Sequence, residues 1–450
     1  MIVKMENTKV TKENFIKIKD IVIFILLLLW MIIPVLQSFD ETYDILLIKK
    51  YNLSLMKVTG VAGIALGIYF ASEKIKQAKD KKEIIKELLP IFIFVLYMIW
   101  TLISCILSPN RELAFKGTSY RKEGYIMYLI YAGYFFCAYL LESKKLRKIL
   151  LNIFVIVSIF LIIISRAYFT VLKYTDIFLY NTPDKSVFAQ FNHYGYYLMM
   201  SLMCALGLFI TEKNKILKVV YLVAYTVIGY ALIFNNTFGC YLATAIVLIA
   251  YCIYALVKKR DRAVALIATA IFIILSFTVT KNDKNLAYEN MSGLVSDIKT
   301  IITKVFNIEE DSPELEESFE KAGTSRMSLW KNGIKFMMER PIIGYGPENL
   351  KEKYKSVSIN QDRPHNLLIQ LATTSGIPGM ILYVTAVGII VVRGIKNLIK
   401  NNESGKIFLI IVIAYLISAM FGNSMYYTSP YYFIFLGFLM NCNSNKQKEQ

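Results

Sequence analysis

The chain has 450 residues, 56% of them hydrophobic, and a mean hydropathy of +0.48, so its composition excludes a soluble globular protein. Runs of about 20 apolar residues can each cross a bilayer, and the sequence therefore indicates an all-α, polytopic membrane protein. The formal net charge of +18 suits contact with anionic lipid headgroups and needs no nucleic acid to explain it. We predict about twelve transmembrane helices, at residues 20–38, 53–72, 88–107, 125–141, 149–165, 191–211, 217–236, 239–257, 263–280, 366–392, 407–422 and 429–441.

The distribution of lysine and arginine predicts how the chain is oriented. A basic N-terminus precedes the first apolar run, but Pro34 to Gln37 offers no small-x-small cleavage site, so we expect an uncleaved first span. More than half of the 51 lysines and arginines lie in segments 1–19, 74–87, 142–148, 212–218, 258–262, 393–406 and the C-terminal tail. Because cytoplasmic loops carry the Lys/Arg excess, both termini are predicted to be cytoplasmic.

The predicted spans divide the chain into a membrane domain at 1–280, a large external loop at 281–365 and a second membrane part at 366–450. Early in the loop, apolar residues over 291–306 recur at helical spacing, which predicts a helix lying on the membrane or on its neighbours. The acidic run over 308–320 has no strong apolar face and predicts a solvated linker.

The stretch from Arg326 to Gly379 is the most informative, because polar groups held beside a membrane span usually serve chemistry or recognition. Thr324-Ser325 offers an N-cap for a helix predicted over 326–340. Gly344 and Gly346 follow this helix, and a plain turn is the better interpretation of their spacing. The alternative is a nest of backbone amides for an anionic group.

The chain has two histidines, His193 and His365, and both are predicted to lie near the external surface. Imidazole is the side chain best suited to proton transfer near neutral pH. A lone interfacial histidine is more often a hydrogen-bonded structural residue, and His193 shows nothing against that interpretation. His365 is flanked by Arg363 and by the Arg326 helix, which favours a catalytic role.

Only ten residues are arginine, and several of these are predicted to be external. Guanidinium groups bind phosphate through two parallel hydrogen bonds and so suit a diphosphate substrate. The local sequence favours Arg121 and Arg326 for that role. Arg111, Arg166 and Arg340 are predicted to be structural.

No metal site and no cofactor are predicted. Asp40, Glu41 and Asp44 in the first external loop lack the D-x-D spacing of metal-dependent glycosyltransferases. The six cysteines lack the spacing of metal ligands, and we predict that they are small apolar side chains buried in the protein. The spans are nearly free of charge, which counts against an ion-coupled transporter.

These motifs together resemble the O-antigen ligase and polymerase family of bacterial membrane glycosyltransferases. The similarity is carried by Arg326-x3-Trp330, Pro341-x2-Gly344-x-Gly346, His365-Asn366 and Gly376-x2-Gly379, in that order, with weaker similarity at Tyr120-Arg121-x2-Gly124 and Phe191-Asn192-His193. Many members carry a Ser-Arg-Gly-like turn where this chain reads Asn236-Thr237-Phe238-Gly239. The arginine is missing there, and another cation could replace it.

The resemblance implies a GT-C-like fold and metal-independent transfer from a polyprenyl-diphosphate-linked glycan donor to a glycan or lipid acceptor. It implies transfer at the outer face of the bacterial cytoplasmic membrane, with the polyprenyl tail held by apolar spans and membrane lipids around them. His365 is implied as the general base, and Arg326 with Arg121 as the groups that hold the diphosphate. The other implied substrate-binding residues are Arg363, Trp330, Asn366 and His193.

The predicted function is therefore an O-antigen ligase-like glycan transferase of cell-surface polysaccharide assembly. A polymerase uses the same donor and differs in its acceptor, so the sequence leaves both open. A flippase or exporter of lipid-linked glycans is the alternative from another class; it needs cations along a mid-membrane path, whereas here they gather at one face. A scaffold for a cell-envelope complex is a third alternative, and it gives no reason for the Arg326–His365 motif.

Overall fold

The computed structural model describes residues 2–37, 45–76, 81–170, 185–188, 190–306, 313–400, 402, 404–423 and 425–444. Within these residues the chain forms sixteen α-helices and a two-stranded antiparallel hairpin of β1 (Thr280–Lys281) and β2 (Lys284–Asn285). In chain order the helices are α1 (Ile2–Gln37), α2 (Ile45–Lys76), α3 (Lys81–Ile106), α4 (Arg111–Lys116), α5 (Tyr125–Leu140), α6 (Lys144–Thr170), α7 (Phe191–Thr211), α8 (Lys215–Asn235), α9 (Phe238–Val257), α10 (Arg262–Thr278), α11 (Leu286–Val305), α12 (Pro313–Glu339), α13 (Lys351–Lys355), α14 (Leu367–Ile399), α15 (Lys406–Ser418) and α16 (Ser429–Cys442).

Eight helices of the described chain are long and apolar enough to cross a membrane: α1, α2, α3, α6, α7, α8, α9 and α14. Shorter apolar helices are α5, α10, α15 with the 3₁₀ turn that follows it, and α16. Each predicted span overlaps one of these helices. The all-α membrane class is confirmed. A span count of twelve stays a prediction, because the shorter helices fall below the usual length for crossing a bilayer.

Helix α7 lies at the centre of the bundle. In its most apolar stretch 94% of the residues are buried inside the protein, and the helix packs against α6, α8, α9 and α15. Helix α5 packs closely against α2 because glycines face each other across the contact. A Cβ atom at Gly63 would lie 2.0 Å from the carbonyl oxygen of Gly133. Small residues allow this backbone approach, which is a common way of packing helices in membranes.

The hairpin connects α10 directly to α11. Asn282 and Asp283 form its turn with φ angles of 52° and 62°, the left-handed conformation that two-residue hairpin turns require. The predicted apolar stripe forms α11, and Val295, Ile298 and Ile302 on it are exposed. A helix is therefore confirmed there, and its position on the membrane surface stays a prediction.

The acidic segment differs from the predicted linker, because α12 already begins at Pro313. Glu314 and Glu316 occupy its first turn, where negative charge is favourable to the helix dipole. Glu316 also pairs with Lys304 at 2.9 Å and with Lys331 at 2.7 Å. The acidic residues thus tie α12 to α11 and to its own later turns, and the linker prediction is wrong over the described part of this segment.

A buried junction joins the predicted glycine turn to α14. The backbone N–H of Gly346 donates to the carbonyl oxygen of Thr374 at 2.8 Å. Helix α14 leaves helical conformation at Gly376 (φ 71°), where a Cβ atom would lie 2.0 Å from the carbonyl oxygen of Ile342. A Cβ atom at Gly344 would likewise lie 2.6 Å from the Thr374 carbonyl. The segment is a turn, as predicted, and its glycines in addition permit a close contact with the α14 backbone that was not predicted.

Candidate active site

A cavity of about 430 Å³ opens where α7, α12, the α8–α9 turn, the loop before α14 and the α15–α16 loop meet. Three predicted site residues, Arg326, His365 and His193, line it together. The other lining residues are Gln190, Asn192, Tyr196, Thr237, Phe238, Gly239, Cys240, Ser418, Phe421, Gly422 and Asn423. The structure therefore brings the two histidines of the chain and one of its arginines to a single place.

Arg326 is held by two backbone carbonyls. Gly323 and Ser325 have φ angles of 64° and 65°, so the backbone leaves helical conformation directly before Arg326, where a helix start was predicted. Nε of Arg326 donates to the Phe421 carbonyl at 3.0 Å, and Nη1 donates to the Gly323 carbonyl at 2.9 Å. Burial lowers the pKa of the guanidinium, which still keeps its charge at neutral pH. Arg326 therefore supplies an oriented positive charge.

His365 lies in the loop directly before α14, with a left-handed backbone (φ 53°) that non-glycine residues rarely adopt. Its Nδ1 lies 3.2 Å from the carbonyl oxygen of Arg363. A carbonyl can only accept, so Nδ1 carries the proton of the neutral ring and Nε2 keeps its lone pair. Burial, followed by the charge of Arg326, lowers the pKa of His365 to about 4. The ring is therefore neutral near pH 7 and able to accept a proton.

Asn366 and Trp330, both predicted to bind substrate, do not line the cavity. The side-chain oxygen of Asn366 caps α14 by accepting from the N–H groups of Leu368 and Ile369, while its amide donates to the Met420 carbonyl at 3.1 Å. The Trp330 ring packs against Phe421, with centroids 6.2 Å apart. In this structure both residues therefore contact the α15–α16 loop on the side away from the cavity and help to hold it in place.

His193 lies in the first turn of α7 and is only 1% exposed. Neither ring nitrogen has a hydrogen-bond partner in the part of the chain that the structure describes. The backbone around it is fixed, because the Asn235 amide donates to the Phe191 carbonyl at 3.0 Å, and Gly195 lets the α8–α9 turn approach closely. Buried polar atoms normally have a partner, so an unpaired imidazole on a cavity wall points to a ligand.

Residues 222–384 match the family model described as O-Antigen ligase. This part of the chain is therefore similar to the O-antigen ligase family. The matched range includes Arg326, His365 and the glycine junction, while His193, Arg121 and the α15–α16 loop lie outside it. No curated protein matches the chain. Together with the apolar helices, this match supports a multi-pass membrane protein with a glycosyltransferase-like role in polysaccharide assembly.

Arg121 and Arg363 of this O-antigen ligase-like chain are not brought to the cavity of Arg326. Nε and Nη2 of Arg121 both donate to the Asp362 carboxylate, and Arg363 pairs with the Glu348 carboxylate. Glu348 also accepts from the Thr118 hydroxyl at 2.8 Å. Burial, followed by the charge of Arg121, lowers the pKa of Arg363 to about 10. These pairs fix the loop that presents His365.

The turn between α8 and α9, where the resemblance led us to expect an arginine, lines the cavity without one. Thr237, Phe238 and Gly239 contribute to its wall, and Arg326 is the arginine among the lining residues. Arg166 lies elsewhere, with its guanidinium carbon 3.8 Å from the ring centroid of Phe234. This stacking is what a structural arginine at a membrane surface would show, as predicted for Arg166.

The α15–α16 loop was missed by sequence reasoning. The carbonyls of Met420 and Phe421 anchor Asn366 and Arg326, respectively, while Gly422 and Asn423 line the cavity. A Cβ atom at Gly422 would lie 2.3 Å from the Tyr196 hydroxyl, so the loop passes close to α7. The one signal in the sequence was a Gly-Asn pair between two apolar runs, and such pairs are typical of any turn.

Among the described residues there is no group of three or more His, Cys, Asp or Glu side chains that could hold a metal ion together. The acids at 40, 41 and 44 lie outside the described residues. Metal independence therefore stays a prediction for this chain.

Proposed function

We propose that the chain transfers a glycan from a polyprenyl diphosphate donor to an acceptor hydroxyl, as a ligase of cell-surface polysaccharide assembly. The observation that carries this proposal is the shared cavity of Arg326, His365 and His193. A neutral imidazole beside a fixed guanidinium supplies both a proton acceptor and a charge for a leaving diphosphate. The proposed step uses these side chains and no metal or cofactor.

In the proposed step, Nε2 of His365 takes the proton of the acceptor hydroxyl. The acceptor oxygen forms a bond to the anomeric carbon of the donor glycan as the bond from that carbon to the diphosphate oxygen breaks. The polyprenyl diphosphate leaves with the bonding electrons, and Arg326 stabilises its negative charge. At the end of the transfer His365 holds the proton, the acceptor oxygen carries the glycan, and the polyprenyl diphosphate is free.

The low pKa of His365 in the free protein is compatible with this role. The charge of Arg326 is one cause of the lowering, and a bound diphosphate would offset that charge. Donor binding would therefore raise the pKa of His365 and make it a stronger base when the reactants are assembled. In this arrangement the donor itself activates the base.

We assign the diphosphate to Arg326 and not to Arg121, because the Asp362 carboxylate compensates the charge of Arg121, whereas the Phe421 and Gly323 carbonyls that hold Arg326 are neutral. Arg121 and Arg363 are instead proposed to position the loop of His365. His193 is proposed to bind a hydroxyl or phosphate oxygen of the substrate, since its nitrogens are buried without partners among the described residues. Asn366 and Trp330 are proposed to hold the α15–α16 loop in place.

We further propose twelve spans, cytoplasmic termini and an external loop at 281–365, which would put the cavity at the outer face of the cytoplasmic membrane. The excess of lysine and arginine in the predicted cytoplasmic segments supports this topology. Apolar spans would then hold the polyprenyl tail next to the cavity.

The test is His365→Ala with the purified protein and its lipid-linked donor. Removing a general base should slow transfer by about 10²- to 10⁴-fold while the protein still folds and inserts. Transfer within a few-fold of the wild type would disprove the assignment of the base. Deleting the protein in cells separates the two acceptors: intact but unattached chains indicate a ligase, and loss of long chains indicates a polymerase.

A further inference from the structure

A second cavity, of about 570 Å³, lies beside the first and shares Gly422 and Asn423 with it. Helices α5, α14, α15 and α16 form its walls. Tyrosines dominate the lining: Tyr128, Tyr131, Tyr383, Tyr415 and Tyr432. Two of these rings, Tyr415 and Tyr432, stack at a centroid distance of 4.2 Å. The mechanism proposed above makes no use of this cavity.

The second cavity also holds polar groups that few membrane interiors contain. Glu123 is 1% exposed, lines the cavity and accepts a hydrogen bond from the Tyr131 hydroxyl. Arg363 lines it as well and is fixed by its pair with Glu348. The side-chain oxygen of Gln370 is buried in the lining and accepts no hydrogen bond from the described residues. A hydroxyl group of a bound ligand could donate the hydrogen bond that this Gln370 oxygen lacks.

The chemistry of the lining narrows the class of ligand. A hydrocarbon chain would leave the buried side-chain oxygen of Gln370 without a donor, at a cost of about 1–3 kcal/mol. An anion is disfavoured by the Glu123 carboxylate. A neutral sugar residue offers hydroxyl donors to Glu123 and Gln370 and a flat carbon face to the tyrosine rings, which suits a cavity of aromatic walls with few polar groups.

We infer that the second cavity binds a neutral sugar residue of the glycan substrate, next to the bond that is made or broken in the first cavity. The inference deepens the proposed function and rests on it. The sugar can belong to the donor or to the acceptor glycan, because the two cavities share Gly422 and Asn423 and either glycan bound in the first cavity would extend next to the second. Residues around the second cavity would then determine which glycan the protein accepts.

The sharpest variant is Gln370→Met, which keeps the size of the side chain and removes its amide. A structural glutamine would lose stability on this change. An oxygen that is buried without a donor gains nothing from folding, so the thermal midpoint should stay equal or rise. Binding of a sugar should weaken by about 3- to 10-fold through loss of one neutral hydrogen bond. Glu123→Gln should weaken it by about 10- to 100-fold, because the lost acceptor is charged.

The probe is the lipid-free repeat-unit oligosaccharide, released by mild acid from the lipid-linked glycan of the source cells. Its dissociation constant is measured by calorimetry with the full-length protein in nanodiscs. Tyr225→Phe is the matched control, since Tyr225 is buried, donates to the Ala268 carbonyl at 3.1 Å and lines neither cavity. This variant should lose some stability and keep wild-type affinity.

Two outcomes overturn the inference: no binding of the oligosaccharide at millimolar concentration, or wild-type affinity in both Gln370→Met and Glu123→Gln. Steady-state kinetics of the Gln370→Met and Glu123→Gln variants then show which glycan the sugar belongs to. KM for the donor rises if it is a donor sugar, and KM for the acceptor rises if it is an acceptor sugar. His365→Ala should abolish transfer and keep oligosaccharide affinity. If the His365→Ala variant keeps its transfer activity, the assignment of His365 as general base is rejected, while the oligosaccharide-binding result is unaffected.

Discussion

Replacing Arg326 by lysine tests whether this residue acts through the geometry of its guanidinium or only through its charge. In the structure one planar group reaches two carbonyls, those of Phe421 at 3.0 Å and of Gly323 at 2.9 Å. A lysine ammonium keeps the charge but cannot reproduce the fixed fork that also suits a phosphate. Loss of one hydrogen bond to a charged group costs about 1.5–3 kcal/mol, which corresponds to about 10- to 100-fold in rate.

We therefore expect Arg326→Lys to lower the transfer rate by about 10- to 100-fold and to come within about tenfold of Arg326→Ala. The assay is single-turnover transfer from the native lipid-linked donor, with donor affinity and thermal midpoint measured on the same samples. Arg166→Lys is the matched control, because Arg166 stacks on Phe234, lines neither cavity and should tolerate lysine. A lysine variant at position 326 with near-normal rate and affinity would refute the geometric argument.

Four further outcomes are expected. The acid limb of kcat/KM should lie near pH 4, where the neutral base is lost, and should move to higher pH in Arg326→Gln but not in Arg326→Lys, because only glutamine removes a charge that lowers the pKa of His365. The same lowered pKa predicts that stability falls as pH drops from about 6.5 towards 4, since the unfolded chain then binds a proton that folded His365 does not. Gly376→Ala should destabilise the protein by about 3 kcal/mol or more, whereas Gly388→Ala in the same helix, with no atom within 4 Å of the added Cβ, should have little effect on the thermal midpoint. A cysteine at position 312, which lies outside the described residues, should react with impermeant reagents added to intact cells, and failure to label before permeabilisation would reject the external loop.

The helical membrane fold could be predicted because each span is encoded locally, by a run of apolar residues long enough to bury its own backbone. The partnership of Arg326 and His365 could be predicted because both lie in one family-like motif. The ion pair of Arg121 with Asp362 could not be predicted, since these residues are 241 positions apart and neither carries a local sign of the other. Arg121 was therefore expected at the diphosphate, a role that its pairing now makes less suitable.

The acidic segment was misjudged for a different reason. Composition alone suggested a solvated linker, but the charges of Glu316 are compensated by Lys304 and Lys331, which only the packing of α11 beside α12 brings near. The contribution of the α15–α16 loop was also invisible, because its contacts with Arg326 and Asn366 are made by main-chain carbonyls. Side-chain patterns in a sequence carry no trace of such contacts.

That use of main-chain atoms has an evolutionary consequence. A carbonyl is present whatever amino acid occupies the position, so an exchange of residue 420 or 421 does not in itself remove the hydrogen bonds that hold Asn366 and Arg326. Gly422 in the same loop is not exchangeable in this way, because a Cβ atom there would lie 2.3 Å from the Tyr196 hydroxyl. Sequence change at position 420 is thus compatible with an unchanged placement of Arg326 and Asn366, whereas change at position 422 is not.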